Sequence, residues 1–251
     1  MHTRHLALVL LPFAAACSSP SFVARRTVEL QLPLDAAATV KCTSHNGGIR
    51  VDNGPEPDSV HVLAELQVRG YTQAEAEDNL AQMAVRHDRD GGVLHVYGEH
   101  PKELNWRYSP SYAFDITVPE QVSLDLVTHN GNVRAAGTSG AVAIETHNGS
   151  IEAQVARPDF SLETHNGRVE LAIREGGSLG GSVLTHNGSV EVSLPQGANG
   201  WLEASTHNGS IRAPEGVADL DDSRRRLRAR IGDEDGGTLK VETHNGSVRI
   251  R

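Results

Sequence analysis

Six times the chain spells Thr-His-Asn-Gly, starting at residues 128, 146, 164, 185, 206 and 243, and once, at 44, it spells Ser-His-Asn-Gly. The six starts are 18, 18, 21, 21 and 37 residues apart, and a period near twenty marks a repeat architecture. Aligning the copies gives the rule they obey. Two residues before each Thr or Ser stand Cys42, Leu126, Ile144, Leu162, Val183, Ala204 and Val241; two after each Gly stand Ile49, Val133, Ile151, Val169, Val190, Ile211 and Val248. The residue after that is always charged: Arg50, Arg134, Glu152, Glu170, Glu191, Arg212 or Arg249. Alternation with period two on both sides of a corner predicts strand, Asn-Gly turn, strand, with one apolar and one charged face. The turn residues are Asn46 and Gly47, Asn130 and Gly131, Asn148 and Gly149, Asn166 and Gly167, Asn187 and Gly188, Asn208 and Gly209, and Asn245 and Gly246. Asn and Gly tolerate the left-handed backbone that such a turn is expected to need.

A lone copy has too few inward aliphatics to offset the entropy of ordering it, so copies must share faces and backbone hydrogen bonds. A stack of parallel coils does this, and so does a meander of antiparallel hairpins. Like charges are set together in both, so charge does not separate them. Identity does: a hairpin needs Asn-Gly but has no use for the same Thr and His each time, whereas a stack rewards side chains that form ladders. The expected class is therefore all-β, built as a solenoid. Aromatics are only 4% of the chain, so its core is made of Val, Ile, Leu and Ala. Cys42 occupies an inward position and reads as a small buried hydrophobe.

Residues 52–120 lack the repeat. "SVHVLAELQVRG" alternates as a strand, and "GGVLHVYG" and "SYAFDITV" do likewise. Between them Thr72 and Glu75 have capping-box spacing, and Ala76, Leu80, Met83 and Ala84 fall on one face, predicting a capping helix near residues 72–87. Residues 214–237 enlarge one repeat, and Arg224, Arg226, Arg228 and Arg230 alternate as the basic face of a strand, with Asp219, Asp221 and Asp222 near enough to pair locally.

The N-terminus reads as an export signal: basic "MHTRH", apolar "LALVLLPF", then "AAAC". Cys17 after three alanines fits a lipobox, with residues 1–16 removed and 17–26 serving as tether; the alanines also suit ordinary signal peptidase. Residues 27–251 then form a single domain. Two cysteines exclude a disulfide framework, and a net charge of −9 argues against nucleic acid as partner.

With "NGGIRV", "TQAEAEDNL", "FDITVPEQVSLDLVTHNGNV" and "RLRARIGDEDGGTLKVETHNGSVRI" in this order, residues 27–251 resemble the bacterial putative-adhesin family of β-strand-repeat proteins. The resemblance implies a right-handed β-helix-like fold and a place in the cell envelope, and it brings no catalytic residues or cofactor. One departure is that His precedes Asn in all seven copies of this chain.

By parity His45, His129, His147, His165, His186, His207 and His244 point to water. The last six are candidate metal ligands if adjacent imidazoles can share an ion; the alternative is a structural ladder or duplicates that have not diverged. Stacked imidazoles are expected to resist protonation together, so mild acid should loosen the repeats. Catalysis needs one asymmetric cluster, and seven equal copies supply a lattice instead. Trp106, Tyr108 and Tyr112 are expected to plug a seam beside the cap. The reading that results is a non-enzymatic, lipid-anchored envelope protein that presents a surface for adhesion to protein or glycan. The alternatives are an envelope-stress scaffold that binds another envelope protein through 52–120, and metal binding by the histidines.

Overall fold

A computed structural model describes residues 19–214, 218–219, 225–232 and 236–251. The segment read as an export signal, Cys17, Asp221, Asp222 and Arg224 lie outside the described residues, as do the side chains of Trp106 and Asp219.

The chain opens with β1 (Phe22–Pro33), which begins within the segment read as tether. The first copy follows as β2 (Thr39–Asn46) and β3 (Ile49–Asn53). The non-repeat region supplies β4 (Ser59–Gly70), α1 (Gln73–Ala81), β5 (Ala84–Asp90), β6 (Val93–Glu99), the short α2 (Asn105–Tyr108) and β7 (Ser111–Val118). Copies two to four are β8 (Ser123–Asn130) with β9 (Val133–Ala136), β10 (Val142–Asn148) with β11 (Ile151–Val155), and β12 (Phe160–Asn166) with β13 (Val169–Ile173). After β14 (Gly177–Ser178), the fifth and sixth copies are β15 (Ser182–Asn187) with β16 (Val190–Ser193) and β17 (Ala198–Asn208) with β18 (Ile211–Arg212). Then come β19 (Ala218–Asp219), β20 (Arg226–Ile231) and the last copy, β21 (Thr238–Asn245) with β22 (Val248–Ile250).

The protein is all-β, with two large sheets of 10 and 12 strands. Among the described residues neither closes into a barrel. The two strands of a copy do not pair with each other: β8 lies in one sheet and β9 in the other, and so for every copy. Between copies the pairing is parallel and in register, so that Thr128, Thr146, Thr164 and Thr185 stand in one row and Glu152, Glu170 and Glu191 in another. Alternation then dictates the interior. Along β10, Val142, Ile144 and Thr146 are buried while Ala143, Glu145 and His147 are exposed. The aliphatic rows of both sheets meet in one core that includes Cys42, whose thiol burial holds far above its ordinary titration range.

Three features depart from the sequence reading. The spatial order of copies is not their chain order: β21 pairs with β15 on one side and β17 on the other, so the last copy is wedged between the fifth and sixth. β20 accounts for this, because it pairs antiparallel with the other edge of β17 over residues 200–205 and leaves only the β15 side open. Secondly, the helix expected near 72–87 stops at Ala81. Residues 84–90 extend as β5 against the edge of β6, where Arg86 bridges Glu99 at 2.7 Å and Arg89 donates to the carbonyl of Leu34 at 3.1 Å. Those edge bonds outweigh a weak helical preference. Thr72 still caps the helix from its first turn, and Ala76, Leu80 and Met83 are buried against the core next to β1 and β4. Thirdly, the corner glycines 131, 149, 167, 188, 209 and 246 are not in the left-handed region; of the seven only Gly47 is, at φ 126°. Their requirement is closeness. A Cβ on Gly149, Gly167 or Gly188 would lie 1.9 Å from the carbonyl oxygen of the glycine in the adjacent copy.

Candidate functional site

The corner of the stack is where each letter of the tetrapeptide acquires a reason. Thr faces inward and is buried, and its Oγ1 donates to the glycine carbonyl of the neighbouring copy: Thr146 to Gly131 at 3.0 Å, Thr164 to Gly149 at 2.8 Å, Thr185 to Gly167 at 3.1 Å. A buried hydroxyl must find such a partner, and at this corner the partner is always the same atom. The asparagine amides form a continuous string, each Nδ2 donating to the next Oδ1 at 2.7–2.9 Å from Asn208 through Asn245, Asn187, Asn166, Asn148 and Asn130 to Asn46. Asn46 finishes it on the carbonyl of Pro110 at 3.0 Å. Glycine N–H groups run a second string the opposite way, as from Gly131 to the carbonyl of Asn148 at 3.1 Å.

Histidine faces outward. The rings of His129, His147, His165, His186, His244 and His207 stack in that order with centroids 4.7–4.8 Å apart and planes within 8°, and His45 adds a ring 4.9 Å from His129. Parallel rings so displaced hold equivalent nitrogens equally far apart, beyond the roughly 4.2 Å that one ion spans with two bonds of about 2.1 Å. Two neighbouring rings must therefore turn before they can share an ion. Among the described residues, no three His, Cys, Asp or Glu side chains come together as a metal site.

At the start of the ladder, His45 has its pKa lowered from 6.5, first by burial and then by the nearby His129 and His100. A histidine that is harder to protonate folded than unfolded contributes stability above the unfolded pKa, and that contribution fades as pH falls below about 6.5. The melting temperature is accordingly expected to drop between about pH 7.5 and about pH 5.5, and to drop less in His45→Gln. An equal drop in both would remove His45 as the cause.

Tyr112 lies beneath this end. It is buried, its hydroxyl donates to the carbonyl of Glu99 at 2.6 Å, its ring stacks on His100 and Phe114, and its own carbonyl accepts from Ser44 at 2.9 Å. The segment from Pro110 to Tyr112 thus supplies the acceptors that a preceding copy would have supplied. Tyr108 is half-buried and donates to Glu75 on α1 at 2.8 Å. At the far end Arg226, Arg228 and Arg230 of β20 face outward; Arg228 pairs with Glu203 at 3.4 Å and lies 4.9 Å over the Trp201 ring.

A second candidate escaped the sequence reading. The outer face of the ten-stranded sheet carries a groove of about 770 Å³. Arg50, Arg134 and Arg168 line it together with Glu65, Asp115, Glu152 and Glu170, and the exposed Leu63 sits at its edge. Arg134 pairs with Glu152 at 3.3 Å and Arg168 with Glu170 at 3.0 Å. Arg50 stands in register between Asp115 and Arg134 and makes no ion pair among the described residues. Alternation placed Arg50 and Arg134 on the charged face, but nothing local announced that β4 and β7 would line up beside them.

No helix among the described residues is long and apolar enough to cross a membrane. No protein-family model matches the chain, and no curated protein matches it. Among solved structures it is similar to a putative cell adhesion protein from Clostridium sporogenes, at 12% identity and a TM-score of 0.47, over 90% of this chain and 99% of that one. It is also similar to a putative adhesin from Bacteroides fragilis (10% identity, TM-score 0.37, 93% and 100% covered) and to a putative lipid binding protein from Parabacteroides distasonis (9%, 0.31, 90% and 97%).

Proposed function

We propose that the protein is a non-enzymatic envelope lipoprotein, held by a lipid on Cys17 in the outer membrane or on its periplasmic side, whose domain from 27 to 251 is a right-handed β-solenoid serving adhesion. The observation that carries this reading is the groove over β3, β7, β9, β11 and β13. It is a long, open, polar surface with paired charges and, among the described residues, one arginine outside any ion pair, which suits an extended ligand such as an anionic glycan better than a reacting small molecule. The ladder supports it by making the face rigid and regular. Binding of the purified mature chain to a panel of envelope glycans is the test. Saturable binding that weakens about tenfold or more in Arg50→Ala is expected, the loss of one charge-assisted hydrogen bond being worth about 1.5–3 kcal/mol. Binding to no glycan would overturn it.

A scaffold reading is favoured by one feature: Leu63, Glu65 and Asp115, which line the same groove, belong to the non-repeat region. Crosslinking in intact envelopes that captures one protein through these residues, with no glycan bound, would move the assignment there.

A further inference from the structure

In an Asn-Gly pair the glycine nitrogen can attack the asparagine side-chain amide, because glycine places no side chain in the way. Seven such pairs at one edge would make a fragile molecule were the nitrogens not occupied. Six are: Gly47, Gly131, Gly149, Gly167, Gly188 and Gly246 each donate to the asparagine carbonyl of the next copy, at 2.9–3.1 Å. The matching six side-chain oxygens each accept an amide from the neighbouring asparagine. The seventh pair closes the stack. Gly209 N–H has no acceptor and Asn208 Oδ1 no donor among the described residues, and both residues are exposed.

We propose that Asn208 is a self-modification site, the first corner to deamidate and the point from which damage travels along the ladder. The Gly209 nitrogen, losing its proton to solvent, bonds to Cγ of Asn208. The Cγ–Nδ2 bond breaks, and Nδ2 leaves as ammonia with a proton from solvent. Water then opens the five-membered imide at one of its two carbonyls, giving aspartate or isoaspartate with no change in oxidation state.

The product undoes the next link. Asn208 no longer donates its amide to Asn245. In the isoaspartyl form the backbone runs through the side chain, so the carbonyl that accepts from Gly246 is displaced. Asn245-Gly246 then becomes the unheld end. The order of modification follows space and not sequence: Asn208, Asn245, Asn187, Asn166.

The full chain supplies its own control, since Asn148, Asn187, Asn208 and Asn245 share the local sequence His-Asn-Gly-Ser. Incubation at about pH 8 below the melting temperature, with peptide mapping by mass spectrometry, is expected to show Asn208 modified about tenfold faster than Asn148 or Asn187, the effect of about one net hydrogen bond. In urea the four rates should converge. Equal rates in the folded chain, or a lead for Asn208 that persists in urea, would overturn the proposal.

Discussion

Removal of residues 238–251 is expected to unfold the far end of the stack, not merely trim it. The lost copy carries Leu239, Val241, Val248 and Ile250, all buried. At about 1.5–3 kcal/mol each they represent about 6–12 kcal/mol, which is comparable to the whole stability of an ordinary domain. The cost is felt on both sides, because β15 and β17 each lose a parallel partner and the amide string is cut between Asn187 and Asn208. Limited proteolysis and urea unfolding of the truncated chain provide the measurement. Cleavage spreading through residues 198–231 with the first four copies protected is the expected pattern. A truncated chain as resistant as the parent would mean that β17 closes directly on β15, which the shared corner chemistry permits, and would show the wedged copy to be dispensable.

Substituting alanine for one corner glycine should also be costly, for a single added methyl group. In Gly149→Ala the new Cβ would sit 1.9 Å from the Gly131 carbonyl oxygen and 2.5 Å from its carbon, with backbone on both sides and no flexible side chain to yield. Overpacking of this kind costs about 3 kcal/mol or more, since the two copies must separate and strain the Thr146 and Asn148 bonds that cross the same gap. Gly91→Ala is the contrast. There φ is 54° with nothing within 4 Å of the added carbon, so only the backbone preference of about 1 kcal/mol is lost. Urea midpoints that fall equally in both variants would show that conformation, and not close approach, explains the corner glycines.

Much of the fold could be read from the chain because the repeat states it seven times. Parity alone placed Cys42, Leu126, Ile144 and their counterparts inside and the histidines outside, and the invariance of Thr and His distinguished stacked copies from hairpins. What stayed hidden depends on partners distant in sequence. Nothing around residue 243 reveals that its copy enters between those at 185 and 206; that follows from β20 occupying the outer edge of β17. The end of α1 was hidden likewise, because the helical pattern of Met83 and Ala84 is locally sound and yields only to the free edge of β6. Glycine's role was misassigned for the same reason: a close neighbour 18 residues away leaves no trace in the tetrapeptide. Of the candidate sites, the ladder was legible and the groove was not, since the groove exists only where β4 and β7 lie beside the first copy.

The reciprocal bonds at the corner carry a consequence for how such a molecule changes over generations. Each interior copy meets its neighbours through the same hydroxyl, amide and main-chain links, so an 18-residue unit such as 142–159 can be duplicated or excised and the flanking units will still match. Each event would raise or lower the column by one strand spacing, about 4.8 Å, and leave the helical foot and the wedged top untouched. Height is thus a quantity that recombination can adjust in uniform increments, without redesigning either terminus.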